Sequence, residues 1–246
     1  MQHTAQQHNA WFVTGTDTGV GKTLISSALV HAFAAQGKRA IGMKPVAAGC
    51  EWRDGELHND DVAMLRAASN VPVSRERINP YAFMPPIAPH IAAQQAEMPI
   101  ALDVMLQAFH GLQAEAECVI VEGVGGFCVP LGDTLDTADL AQALGLPVIL
   151  VIGLRLGCLN HALLTQQAII SRGLRLHGWV GNHIDRDMAM PQENIAALQQ
   201  RLRAPCLGIV PWQGGEEANT SAAHLPDFRR VSPLLDLASL TDSSAA

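Results

Sequence analysis

Short apolar runs alternate along the chain with longer segments in which apolar residues return every three or four positions. The first run, WFVTG (11–15), precedes helical periodicity over 22–35, and AIGMKPV (40–46) precedes a polar loop and a helical segment over 61–68. A proline-rich stretch, 72–99, interrupts the pattern and is expected to be irregular. The rhythm resumes with a helix over 101–113, CVIVEG (118–123), a helix over 137–144 and PVILVIG (147–153). A helix over 159–172, HGWVGN (177–182), a helix over 191–202 and CLGIVPW (206–212) complete it. Runs such as CVIV and VILVI are apolar at consecutive positions, which requires cover on both faces of the strand. The pattern predicts an α/β fold, a doubly wound, mainly parallel sheet with helices on both faces. Expected boundaries are a flexible N-terminal tail (1–10), one domain (11–236) and a flexible C-terminal tail (237–246) ending in SLTDSSAA.

At 246 residues, 48% apolar and 16% charged, the chain has material for one large core without disulfides or metals. Formal net charge is −7 and lysines and arginines form no stripe, so a nucleic-acid partner is not expected. The longest apolar stretch, ALGLPVILVIGL (143–154), is too short to span a bilayer and contains Pro147, so no membrane partner is expected either. The opening MQHTAQQHNA lacks a basic start and an apolar segment, and a cytoplasmic location is the expectation. Five cysteines (Cys50, Cys118, Cys128, Cys158, Cys206) are scattered and never spaced C-x-x-C, which indicates neither a disulfide framework nor a zinc site. An enzyme acting on small molecules is the class that fits.

In a parallel sheet, ligands collect beyond the carboxyl ends of the strands, and the first turn from strand to helix often holds phosphate. GTDTGVGKT (15–23) occupies that turn. GVGKT is the back half of a phosphate-binding P-loop: its glycines let backbone N–H groups converge on oxygens, Lys22 reaches the β and γ phosphates, and the Thr23 hydroxyl can ligate Mg²⁺. The front half departs from G-x-x-x-x-G-K-[ST], because the glycine is Gly15 and not residue 16.

Further candidates stand at other strand ends. Pro45 keeps Lys44 out of the α region, so Lys44 should project from the carboxyl end of its strand toward the phosphates. Glu122 follows CVIV and precedes glycines, where a carboxylate can assist a metal near phosphate. In HNDDVAMLRAA either Asp60 or Asp61 can do metal work, or cap the following helix. Asn182 ends HGWVGN, and its amide can pair with N6 and N7 of adenine; NHID (182–185) also echoes the N-K-x-D element of guanine-specific GTPases, with His183 where lysine belongs.

GTDTGVGKT resembles the loop of the dethiobiotin synthetases, whose form is GTDT-x-VGKT, and the K-P-V, VEGVGG, GLRLGCLNH and PW segments extend the resemblance over most of 11–213. Asp17 stands where partition and septum-site ATPases of the same superfamily carry a signature lysine, and a corrinoid amide synthase would want a further glutaminase domain. The resemblance implies ATP- and Mg²⁺-dependent closure of a cyclic urea on 7,8-diaminononanoate with CO₂, in a homodimer whose substrate site lies at the interface. It implies that Lys44 and Lys22 are catalytic and that Thr23, Asp61 and Glu122 hold Mg²⁺. Thr18, Gly19, Val20, Gly21 and Leu24, with Gly123, Val124 and Gly125, would surround ATP, and Asn182, His183, Pro211, Trp212 and Gln213 its base. Lys44 would also touch the substrate, whose carboxylate would meet the helix start Gly157, Cys158, Leu159 and Asn160. Ala48 stands where the family usually has a hydroxyl residue.

Overall fold

The computed structural model describes residues 9–214 and 227–241. In chain order the elements are β1 (Asn9–Gly15), α1 (Lys22–Ala35), β2 (Ala40–Met43), β3 (Val46–Ala48), β4 (Glu51–Arg53), β5 (Glu56–His58) and α2 (Asp60–Ala68). Next come α3 (Arg75–Ile78), β6 (Tyr81–Phe83), α4 (Pro89–Gln95), α5 (Leu102–Glu115), β7 (Cys118–Glu122), α6 (Thr137–Leu144) and β8 (Val148–Leu154). The described residues continue with α7 (Cys158–Ser171), β9 (Leu176–His183), α8 (Pro191–Arg201), β10 (Cys206–Val210), α9 (Phe228–Val231), a 3₁₀ turn (Ser232–Leu234) and α10 (Ala238–Thr241).

Six strands form one sheet in the order β10-β9-β8-β1-β7-β2, and every pairing in it is parallel. Alternation along β1 shows why both faces are covered. Ala10 and Phe12 join the core that contains Met105, Phe109 and Leu112 of α5, Leu140 of α6, and Ile169 of α7. Trp11 and Val13 join the opposite core with Ile25, Leu29 and Phe33 of α1 and Phe228 of α9. Trp11 stacks on Phe33 with ring centroids 5.2 Å apart. Strand order reverses beside β1, so the carboxyl ends of β1, β7 and β2 open a crevice there.

Several boundaries differ from expectation. The run AIGMKPV is two strands: Pro45 has no N–H for a ladder, so β2 stops at Met43 and the chain leaves the main sheet to pair β3 with β6. The stretch 72–99 is ordered, containing α3, β6 and α4, and Pro89 opens α4 at a position where a missing N–H costs nothing. The polar loop before α2 holds the β4–β5 hairpin, whose turn residues Asp54 and Gly55 both have positive φ, 51° and 85°.

Both expected tails are too long. Asn9 and Ala10 belong to β1, and Ala10 is buried. Leu237 and Leu240 are buried in the α1-side core, and the His177 ring Nε2 lies 3.1 Å from the Leu240 carbonyl. Apolar burial therefore makes 237–241 part of the domain; residues 1–8 and 242–246 lie outside the described residues.

Candidate active site

The glycine loop leaves β1 at Gly15 and enters α1 at Lys22. Helix α1 has no side-chain cap and no acid in its first turn, so its leading N–H groups and the positive end of its dipole remain available to an anion. Gly21 has φ 91°, and a Cβ there would run into Asn182 Nδ2, so only glycine fits. Lys22 is buried, and its Nζ donates to the Asp17 carbonyl at 2.9 Å. Burial and the nearby Lys44 charge push its pKa down to about 8, against the pull of Glu122, Asp61 and Asp17.

Strand β7 lies between β1 and β2, and the registers set Val13 opposite Glu122 and Met43 opposite Val121. Glu122 and the residue after Met43 therefore meet at one rim. Lys44 Nζ donates to Glu122 Oε1 at 2.5 Å and pairs with Asp61 Oδ2 at 2.9 Å. Thr23 Oγ1 donates to the same Glu122 oxygen at 2.8 Å. Lys44 is 3% exposed and Glu122 0%, while the Asp61 side chain, at 42%, lies at the open side of the cluster. Lys44 is thus a buried bridging cation and not a solvated strand end. Its backbone is fixed as well, with its N–H on the Ile78 carbonyl at 2.8 Å and its own carbonyl accepting from Asn79 Nδ2 at 2.7 Å.

Burial alone would lower the Lys44 pKa, but Glu122 and Asp61 overcome it and hold the ammonium above the usual lysine range. Burial pushes the Glu122 carboxyl up against the pull of Lys44. Asp61 resists burial through Lys44, the Thr23 hydroxyl and Lys22, and stays below the usual carboxylate range. The capping question in HNDD has a third answer: Asn59 caps α2, accepting from the N–H groups of Asp61 and Val62. Asp61 is left free to face Lys44, and Asp60 is exposed.

These groups line a cleft of about 750 Å³ that gathers Thr18, Gly19, Gly21, Lys22, Thr23, Leu24, Lys44, Asp61, Glu122, Val124 and Gly125. Val20 is buried beneath the loop, and the Gly123 carbonyl lies 3.4 Å from Lys44 Nζ. The segment 72–99 supplies an unforeseen wall, Pro86 to Pro89, which with Met64 and Val129 makes one side of the cleft apolar. Its legible signal was Pro89 as a helix start.

Other expected residues stand outside this lining. Asn182 and His183 end β9, with Asn182 buried behind the loop, and Pro211, Trp212 and Gln213 follow β10, where Trp212 is 43% exposed. Gly157 is the left-handed N-cap of α7, which, like α1, lacks a side-chain cap and a first-turn acid; Cys158 is buried, and Leu159 and Asn160 follow it. A further connection was not foreseen: Arg155 donates to Asp17 at 2.6 Å, tying the front of the glycine loop to the approach to α7.

A family model described as an AAA domain matches residues 9–219. The ATP-dependent dethiobiotin synthetase of Aromatoleum aromaticum is 55% identical over 216 residues, covering 88% of this chain and 96% of that protein. That of Nitrosospira multiformis is 54% identical over 237 residues, covering 95% and 97%. Among solved structures, the MinC:MinD cell division protein complex of Aquifex aeolicus aligns with TM-score 0.51 at 14% identity, covering 93% of this chain and 87% of that one, a likeness of fold alone.

Proposed function

The chain belongs to the ATP-dependent dethiobiotin synthetase family, and we propose that the cleft between the glycine loop, Lys44 and Glu122 is where it performs that family's reaction. The activity is closure of the cyclic urea dethiobiotin on 7,8-diaminononanoate with CO₂ and ATP, a cyclo-ligase step of biotin biosynthesis. One amine of the substrate captures CO₂ as a carbamate and loses a proton. A carbamate oxygen attacks the γ-phosphorus, and ADP leaves with the bridging oxygen's electron pair. The second amine then attacks the carbonyl carbon and loses its proton as phosphate departs with the C–O pair.

The carbamate is already an anionic nucleophile, so the site must align reactants and neutralise charge more than it must remove a proton. Thr18 to Leu24 surround the phosphates, with Lys22 on the β and γ groups. Backbone groups of Gly123, Val124 and Gly125 face the same anions, and Lys44 lies beside the carbamate oxygen and γ-phosphorus. The observation that supports this reading is the buried Lys44 bridge, a second ammonium close enough to Lys22 to help lower its pKa. A P-loop alone needs one lysine; a carbamate meeting a γ-phosphate accounts for two.

The donors around Glu122 fit Mg²⁺. Among the described residues Glu122 Oε2 is buried with no hydrogen-bond partner, and the Thr23 hydroxyl and Asp61 carboxylate belong to the same cluster, all hard oxygens. Thr23, Asp61 and Glu122 would hold the ion, which when bound offsets charge on the β and γ phosphates. Asn182 and His183 on one side, with Pro211, Trp212 and Gln213 on the other, surround adenine.

Two copies assemble so that Gly157 to Asn160 of one protomer meet the substrate carboxylate in the other's cleft. In support, this helix start does not line its own cleft, its N–H groups are uncapped, and Leu156 and Leu164 nearby are 92% and 57% exposed. The enzyme works in the cytoplasm, a reducing compartment in keeping with its five free thiols.

The experiment supplies the diamine, labelled bicarbonate, ATP and Mg²⁺ and looks for a labelled cyclic urea by mass. Product that forms from the parent and persists undiminished when Lys44 is replaced by Gln would refute the site assignment. Light scattering through a dilution series checks the dimer.

A further inference from the structure

Asn182, the penultimate residue of β9, is only 5% exposed and sits behind the glycine loop. Its Nδ2 donates to the Val20 carbonyl at 2.9 Å, and the same nitrogen occupies the space that a side chain on Gly21 would need. Val20 and Gly21 are the two residues immediately before Lys22 and the first N–H groups of α1. A residue that only read a base would present both polar edges of its amide toward the ligand. Asn182 instead spends a donor on the loop.

We infer that Asn182 is a positioning residue for the phosphate loop, bracing the Val20–Gly21 turn so that the following N–H groups and Lys22 aim at phosphate. The inference rests on the reading of residues 15–23 as a triphosphate site. The loop's back is fixed in two ways. Val20 is 1% exposed, and its side chain lies against Gly15 and Gly153 of the flanking strands, an apolar anchor. Asn182 is the polar one. An amide has two N–H donors and an oxygen acceptor. Among the described residues Oδ1 has no hydrogen-bond partner, so accepting capacity remains for the amino group of adenine. One side chain thus touches the loop at its nitrogen and serves the base at its oxygen, and base occupancy and loop geometry share a residue.

Inorganic tripolyphosphate separates the two roles, because it engages the loop and has no base. Its affinity is measured by calorimetry for the parent, Asn182→Ala and Asn182→Asp at pH 8, beside KM and kcat for ATP. Asn182→Asp keeps the shape and sets a carboxylate oxygen against the Val20 carbonyl, so the test does not depend on the truncated variant folding. Bracing requires tripolyphosphate affinity to fall about five- to tenfold in Asn182→Ala and further in Asn182→Asp. It also requires kcat to fall at saturating ATP, because a misaimed loop is not repaired by occupancy. Unchanged tripolyphosphate affinity with a raised KM and parental kcat would leave Asn182 as a reader of the base and overturn the inference. Failure of the parent to bind tripolyphosphate would instead overturn the phosphate-loop reading, and the brace with it.

Discussion

Replacing Lys44 by glutamine tests the site and the core together. The substitution leaves Glu122, fully buried, without a directly bonded cation, only neutral donors such as the Thr23 hydroxyl remaining. Asp61, with a 42% exposed side chain, can turn to water, so the penalty falls on Glu122. Breaking one side of a buried ion pair costs about 3–5 kcal/mol. Glu122 limits the loss by taking up a proton. Holding a carboxyl of ordinary pKa protonated costs about 5 kcal/mol at pH 8 and about 1 kcal/mol at pH 5. The sign follows: a carboxyl whose folded pKa is raised binds its proton more tightly folded than unfolded, so stability falls as pH climbs above the unfolded value of about 4.3. Urea denaturation of Lys44→Gln should therefore show a deficit of roughly 3–5 kcal/mol at pH 8 that shrinks to about 1 kcal/mol at pH 5. The double variant with Glu122→Gln should recover most of it. Turnover should fall on the order of 10²- to 10³-fold in the single variant, as for loss of a preorganised donor. A deficit equal at both pH values, or below about 1 kcal/mol at pH 8, would show that the bridge is not what stabilises this corner.

Lys22, with a pKa near 8, should grip phosphate as the ammonium, so tripolyphosphate affinity should drop as pH rises through about 8; Lys22→Arg, charged throughout, should flatten that step. Glu122→Gln and Asp61→Asn should each raise the Mg²⁺ concentration for half-maximal rate, while Asp60→Asn, at an exposed position, should not; a shift from Asp60 alone would contradict the register of that loop. Ending the chain at Asp236 removes two buried leucines, Leu237 and Leu240, and should cost about 3–6 kcal/mol in urea denaturation, where a mere tail would cost nothing.

Periodicity found the six-stranded sheet because its strands are covered on both faces and long helices between them repeat, as in α5, which buries Met105, Phe109 and Leu112. It failed where elements are too short to repeat. Strands β3 and β6, three residues each, show no period, and Pro89 was one helix-starting proline among several that start nothing. Motif chemistry found GVGKT and Glu122, since a glycine loop after a strand and an acid at a strand end have direct physical uses. Spacing alone did not choose between Asp60 and Asp61. The fold separates them: Asn59 takes the capping role from both, and Asp61 is then the one that meets Lys44 while Asp60 stays exposed. Nor does sequence reveal that Lys44 is buried, because its burial comes from β7 lying beside β2 and from Asn79 and Ile78 gripping its backbone. The Asp17–Arg155 pair spans 138 positions, and no local pattern announces it.

The position of β7 between β1 and β2 has a consequence for a chain still leaving the ribosome. The glycine loop and Lys44 emerge early, yet β1 and β2 have no shared edge, and the strand that joins them begins at Cys118. Thr23 waits 99 residues for Glu122, and Lys44 waits 78. Contacts this distant are slow to form. Until β7 slides between its neighbours the nascent chain has a phosphate loop without its acid, and its apolar strand edges are open to chaperones or to other chains. The cluster of Thr23, Lys44 and Glu122 can therefore close only after residue 118 has been made, and a fragment released earlier lacks the strand that joins β1 to β2.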